Sequence, residues 1–112
     1  MTIAIGLIST GGLVFAADTQ DGIPGWMKTR QTKLDLDCWG DGGHCLVAGA
    51  GTSGYIDSAA QRLHQAFKAA QPKPDEYRYV IEGTLESFYR DHVTPFSHDP
   101  APPSLDLLTG AI

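Results

Sequence analysis

The chain has 112 residues, with 8 Lys and Arg against 13 Asp and Glu, for a formal net charge of −5. That length fits one domain, and the acidic balance argues against nucleic-acid binding, which needs a basic patch or stripe. A hydrophobic content of 42%, with four Phe, four Tyr and two Trp, supplies a core and argues against disorder, while no apolar run nears the roughly 20 residues of a membrane span. Met1 leads straight into Thr2-Ile3-Ala4-Ile5-Gly6 with no basic n-region, so no signal peptide is expected. Two cysteines are too few for a disulfide scaffold, and the expected compartment is the cytoplasm.

Residues 2–9 are β-branched and nearly all apolar, which predicts a strand buried on both faces. Ser9-Thr10-Gly11-Gly12 is a turn signal, and residues 12–18 return as a second apolar strand, making a hairpin. Residues 19–32, with Asp21-Gly22 and Pro24-Gly25, have no clean period and read as an irregular loop. Lys33-Leu34-Asp35-Leu36-Asp37-Cys38-Trp39 alternates strictly, turns at Gly40–Gly43 and returns over 44–49, a second hairpin.

Ile56, Ala59, Ala60, Leu63, Phe67 and Ala70 share one stripe and predict a helix over 52–71, with Thr52 or Ser53 as N-cap and Asp57 in about the first turn. A second helix is predicted over 75–92, although Tyr77-Arg78-Tyr79-Val80-Ile81 also reads as a strand. After the proline-rich loop around Asp99–Pro103, residues 104–111 start like a further strand. Two hairpins, two helices and a strand give an α+β domain over 1–112, an antiparallel sheet with helices on one face. The stop at Ile112, in or just after an apolar strand, leads us to expect a truncated or partial domain.

A three-residue loop, Ser9-Thr10-Gly11, puts Thr2 directly across from Asp18; another loop length moves the pairing by a residue or so. Lys33, at the start of the third strand, is within reach of Asp18. A threonine at a free N-terminus carries nucleophile and base on one residue: its hydroxyl attacks a carbonyl while its α-amine takes the proton. An α-amine titrates at roughly 7.7–8.0, near operating pH. A neighbouring ammonium lowers the pKa of both groups, and an aspartate keeps that ammonium charged and in place.

The run Thr2-Ile3-Ala4-Ile5-Gly6-Leu7, with Gly12-Leu13-Val14-Phe15-Ala16-Ala17-Asp18, resembles the amino-terminal hairpin of proteasome β-type subunits, which are N-terminal-nucleophile (Ntn) hydrolases. Thr32-Lys33-Leu34 is similar to the strand carrying the family lysine. Ala48-Gly49 is similar to the step whose glycine amide serves the oxyanion hole, and Leu107-Leu108-Thr109-Gly110-Ala111 to the family's Leu-Leu-x-Gly-Gly strand. The resemblance spans essentially the whole chain and the amino-terminal half of such a subunit. It departs in lacking that fold's second half and in following Gly49 with Ala50-Gly51, where a serine is more usual.

The resemblance implies an αββα sandwich and a threonine peptidase. Thr2 is then nucleophile and base after removal of Met1, Lys33 the pKa-lowering cation and Asp18 its positioning partner, and the Gly49 amide is the oxyanion donor. It further implies a peptide or unfolded-protein substrate, a homo-oligomeric ring, an ATPase unfoldase partner, and no metal or organic cofactor. Trp26 and Met27 would border the specificity pocket.

Other readings stand beside this one. The chain could be a non-catalytic or truncated structural subunit. Gly49-Ala50-Gly51-Thr52-Ser53-Gly54 is literally G-x-G-x-x-G, with Asp75 or Glu76 some 20 residues on, as in a dinucleotide-binding module. Against it, two antiparallel hairpins precede the motif. If Gly40–Gly43 is the turn, Cys38 and Cys45 face each other across the hairpin beside His44, more simply reduced core thiols than metal ligands lacking a fourth partner. His92, His98 and Asp99 read as part of a solvated loop.

Overall fold

The computed structural model describes residues 3–18, 20–23, 27–30, 33–96, 98 and 105–112, with the backbone alone over 20–23, 27–30 and at Ser53. Thr2, Trp26, Thr32, Asp99 and the Pro100–Pro103 stretch lie outside the described residues.

Strands β1 (Ala4–Ser9) and β2 (Gly12–Ala17) pair antiparallel, Ala4 with Ala17 through Ser9 with Gly12. The loop is therefore two residues, Thr10-Gly11, one shorter than expected. Ser9 helps to set it: its hydroxyl accepts from the Gly11 amide at 3.3 Å and donates to the Gly12 carbonyl at 3.2 Å. The 19–32 segment carries a second small hairpin, β3 (Gln20–Ile23) with β4 (Met27–Arg30), where an irregular loop was predicted. Four-residue strands without apolar alternation leave no period to read.

β5 (Leu34–Trp39), β6 (Gly43–Gly51) and β7 (Leu105–Ala111) form an antiparallel sheet in that order. β6 runs two residues past its predicted end, and β7 joins this sheet through β6. Trp39 pairs with Gly43 and Cys38 with His44, so the turn is Gly40-Asp41-Gly42 and Cys45 stands opposite Asp37. The two cysteines thus lie on opposite faces, contrary to the expected cross-strand pair: Cys45 is buried and Cys38 is exposed.

α1 (Ser53–Ala70) and α2 (Tyr77–Phe88) cover one face of the three-stranded sheet. Thr52 takes the N-cap position without a side-chain capping bond, and Asp57 falls beyond the first turn. The ambiguous 77–81 segment is helical because Tyr77, Val80, Ile81 and Leu85 all pack on the core at helical spacing. The core is Cys45 and Val47 of β6 with Ala60, Leu63 and Phe67 of α1, extended by Ala59, Phe88 and Leu105. Trp39 closes one end, its ring 5.6 Å from Phe67 and 5.8 Å from Tyr77. At the other, α2 passes into a π turn over Tyr89–Val93, and the Tyr89 hydroxyl donates to the Leu105 carbonyl, tying it to β7. Lys68 of α1 holds Asp37 of β5 at 2.6 Å; that bond and the Cys38 amide keep the Asp37 carboxyl below its usual range.

The β1–β2 hairpin lies on the sheet's other face. A Cβ on Gly110 of β7 would meet the Phe15 ring at 2.9 Å, and one on Gly6 the same ring at 2.9 Å and Leu108 at 3.4 Å. The absence of side chains at Gly6 and Gly110 lets Phe15 lie between the two sheets. The hairpin's outer face is open among the described residues: Ile3, Ile5, Leu7 and Val14 are each more than half exposed. Burial of this strand on both faces was the sequence expectation, and the structure corrects it: only Ala4 of β1 is half-buried, and Ile8, on the face turned toward the sheet, is itself exposed.

Burial pushes the Cys45 thiol up from its ordinary 9.0 to about 11, with the Asp35 and Asp37 carboxylates adding to the rise. The native state then keeps a proton that the unfolded state loses, so stability is full below about pH 9 and falls as pH rises toward 11. Urea midpoints are expected to decline across that window and to stop declining in Cys45→Ala. At pH 8, iodoacetamide is expected to label Cys38 and to spare Cys45 until the chain unfolds.

Candidate active site

Asp18 follows β2 at the open end of the first hairpin. Its amide donates to the Ile3 carbonyl at 3.0 Å, and its Oδ1 accepts from the Ile3 amide at 2.9 Å. The two-residue turn therefore sets Ile3, not residue 2, opposite Asp18. The carboxylate still grips the peptide unit joining residues 2 and 3, one residue from the candidate nucleophile.

Lys33 leads into β5 and reaches the same carboxylate. Its Nζ lies 3.2 Å from Asp18 Oδ2 and 3.3 Å from Oδ1, shared almost evenly between the oxygens. The Lys33 side chain is 10% exposed and that of Asp18 30%. Burial of a lysine to this degree is costly without an acceptor, and the Asp18 carboxylate supplies one. A charge following the apolar 13–17 run is accounted for in this way.

Gly49 adjoins the pair through the sheet: its amide donates to the Lys33 carbonyl at 3.4 Å. The amide expected to be an oxyanion donor is thus engaged along the sheet by a long, weak bond, and serves an oxyanion only by exchanging that acceptor. A second constraint acts at Gly49. A Cβ there would collide with Ile56 Cγ2 and lie 2.9 Å from its Cγ1. Ile56 is β-branched on a helix and has little rotamer freedom to move aside. Gly49→Ala is expected to cost about 1–3 kcal/mol, with most of the loss recovered in Gly49→Ala/Ile56→Ala. Additive losses in a urea-denaturation cycle would contradict that packing.

Thr2 itself lies outside the described residues. Of the expected site, the structure brings together Asp18, Lys33 and Gly49, and holds the residue after Thr2 against Asp18. A cleft of about 200 Å3 opens beside Gly49, between Ala4 of β1 and the β6–β7 face.

The other motifs land elsewhere. Gly49-Ala50-Gly51 ends a strand whose neighbours both run antiparallel, not the first strand of the parallel unit that G-x-G-x-x-G serves. Glu76 is taken up at its own turn, accepting from the Lys73 amide at 2.9 Å. Among the described residues no group of three His, Cys, Asp or Glu is placed to hold a metal ion.

His92 belongs to the π turn rather than to a loop, with its Nε2 2.8 Å from Arg62 and its ring 5.0 Å from Phe88. Arg62 also lies 3.6 Å from Asp91, beside a larger cavity of about 540 Å3 between α1 and the end of α2. The sequence held no signal for this cluster, because its partners are 30 residues apart and meet only when the helices pack. The same holds for His64, buried on α1, with Nε2 3.4 Å from Asp35 on β5.

No family model, curated protein or solved structure matches the chain.

Proposed function

We propose that this chain is a threonine-type peptidase of the proteasome β-like class. In this reading the described elements are the amino-terminal part of an Ntn-type αββα sandwich: one helical layer, one sheet, and the first hairpin of the other sheet. The observation that carries the reading is the Asp18–Lys33 pair at 3.2 Å, with Asp18 also bonded to the amide of Ile3. One carboxylate thus fixes both the cation and the main chain next to Thr2.

Removal of Met1 by a methionine aminopeptidase, which accepts a small second residue, frees the Thr2 amine. The Thr2 hydroxyl then attacks the scissile carbonyl and passes its proton, through a water, to that amine. Lys33 favours the alkoxide by its charge, and Asp18 holds Lys33 in place. The Gly49 amide turns from the Lys33 carbonyl to the oxyanion, a donor worth roughly 2.7–4 kcal/mol in such sites. Collapse of the tetrahedral intermediate expels the amine half of the peptide, which takes the proton. Water then hydrolyses the Thr2 ester and restores the hydroxyl.

The substrate class is peptide or unfolded protein, the partners are further copies of the chain in a ring and an ATPase unfoldase, and the compartment is the cytoplasm. Among the described residues no helix is long and apolar enough to cross a membrane.

The Gly49 bond to the Lys33 carbonyl favours a second reading, a non-catalytic relative with a structural role. Peptide hydrolysis separates the two. Freshly purified chain, shown by intact mass to lack Met1, is expected to cleave a fluorogenic peptide, and Thr2→Ser to retain part of the rate. Activity surviving in Thr2→Ala would mean a contaminant or another nucleophile and would overturn the threonine assignment.

A further inference from the structure

The larger cavity, about 540 Å3 between α1 and the end of α2, belongs to the helical layer, across the three-stranded sheet from the first hairpin. Its volume is that of an ordinary small-molecule site. Ser58, Gln61, Arg62 and Gln65 of α1 line it at i, i+3, i+4 and i+7, one stripe of the helix. All four side chains can donate hydrogen bonds. Among the described residues no carboxylate lines the cavity, in a chain whose acids outnumber its Lys and Arg by 13 to 8.

Arg62 is held from three sides. Its guanidinium donates to His92 Nε2 at 2.8 Å, stands 5.6 Å from the Phe88 ring centroid and pairs with Asp91 at 3.6 Å. An arginine only donates, so Nε2 accepts and the His92 proton sits on Nδ1. Asp91 is shared, with Arg90 Nε 3.5 Å from its other oxygen. Two guanidiniums against one carboxylate leave one positive charge in excess, and Arg62 is the member on the cavity wall. His92 sits in the π turn that ends α2, a distortion found mostly at functional sites. The rest of the wall is aromatic: the Tyr55 and Phe88 rings meet edge to face, 6.2 Å between centroids.

We infer that this cavity binds a small organic anion, with its carboxylate or phosphate head on Arg62 and a planar apolar body against Tyr55 and Phe88. A guanidinium has five N–H groups; His92 and Asp91 engage one each, which leaves donors for a two-oxygen acceptor. Ser58, Gln61 and Gln65 add neutral donors along the same stripe. The pairing with His92 and the contact with Phe88 fix the guanidinium before the ligand arrives, so little side-chain freedom is lost on binding. None of Thr2, Asp18 and Lys33 takes part, so the inference does not rest on the peptidase reading.

The full chain is titrated with benzoate, phenyl phosphate, inorganic phosphate and neutral benzamide, followed by amide chemical shifts. The tighter of the two aryl anions, which names the head group, is expected to bind about tenfold more tightly than benzamide, the scale of one charge-assisted hydrogen bond. It is also expected to bind more tightly than inorganic phosphate, with shifts centred on Ser58–Gln65 and Phe88–His92. Arg62→Gln is expected to abolish the preference over benzamide, and Arg62→Lys to weaken it by losing the planar fork. Asp91→Asn, which removes the competing acid, should tighten anion binding, and added salt should weaken it. Unchanged melting temperatures show that the variants fold. No saturable shift, equal binding of benzamide or inorganic phosphate, or a preference that survives Arg62→Gln overturns the inference. Should Arg62→Gln fail to fold, anion binding no tighter in Asp91→Asn than in the parent chain overturns it as well.

Discussion

Lys33→Ala is expected to lower peptide hydrolysis by about 10^3-fold or more, because groups that act as one catalytic unit fail together. KM should change little, since Lys33 acts on the attacking hydroxyl and not on the substrate. The same change leaves Asp18 without its cation. For a pair that is 10% and 30% exposed at its two ends, we expect a stability loss of about 1–3 kcal/mol, less than for a fully buried pair because solvent screens Asp18. Asp18→Ala added to Lys33→Ala should recover part of that stability and none of the activity. Lys33→Arg should not restore the rate, since a planar fork does not reproduce a compact ammonium shared between two oxygens. Hydrolysis by Lys33→Ala within a few fold of the parent chain would remove Lys33 from the mechanism.

The largest effect on the fold is expected at Phe67. It is fully buried on α1 and lies 5.6 Å from Trp39 and 5.7 Å from Tyr77 by ring centroids. Its ring is therefore where the helices, β5 and β6 meet. Phe67→Ala is expected to cost about 3–5 kcal/mol, a large share of the 5–15 kcal/mol typical of a whole domain. Leu7→Ser, on the open outer face of the hairpin, is expected to change stability by no more than about 0.5 kcal/mol. Urea denaturation of the two variants measures both; a Phe67→Ala loss below about 1 kcal/mol would mean that the core is not centred there.

The elements that build the site were legible where local pattern and tertiary role agree. The apolar runs 3–9 and 12–18, the 33–39 alternation, and the stripe Ile56, Ala59, Ala60, Leu63, Phe67 each formed the expected element; the stripe did so because the residues that set its period are the ones that pack, whereas Ile5, Leu7, Ile8, Leu36 and Cys38 mark their strands and stay exposed. The pairing of Lys33 with Asp18 was legible as proximity at one end of a hairpin.

Register was less so. A loop of two residues instead of three shifts every partner by one, which put Ile3 opposite Asp18; a turn of three instead of four separated Cys38 from Cys45. Both depend on turn geometry, to which several glycine-rich sequences are compatible solutions. The 20–30 hairpin was not legible, because its pairing is made by the backbone. Nor was the Arg62–His92 contact, which arises only from packing one helix on another.

The direct test of the central assignment is the intact mass of the chain after incubation with a peptide epoxyketone, an electrophile that engages the hydroxyl and the amine of an N-terminal threonine together. The account predicts a chain lacking Met1 and carrying one inhibitor, with the adduct lost in Thr2→Ala and strongly slowed in Lys33→Ala. A chain that lacks Met1 and remains unmodified under conditions that saturate other N-terminal threonine peptidases would contradict it.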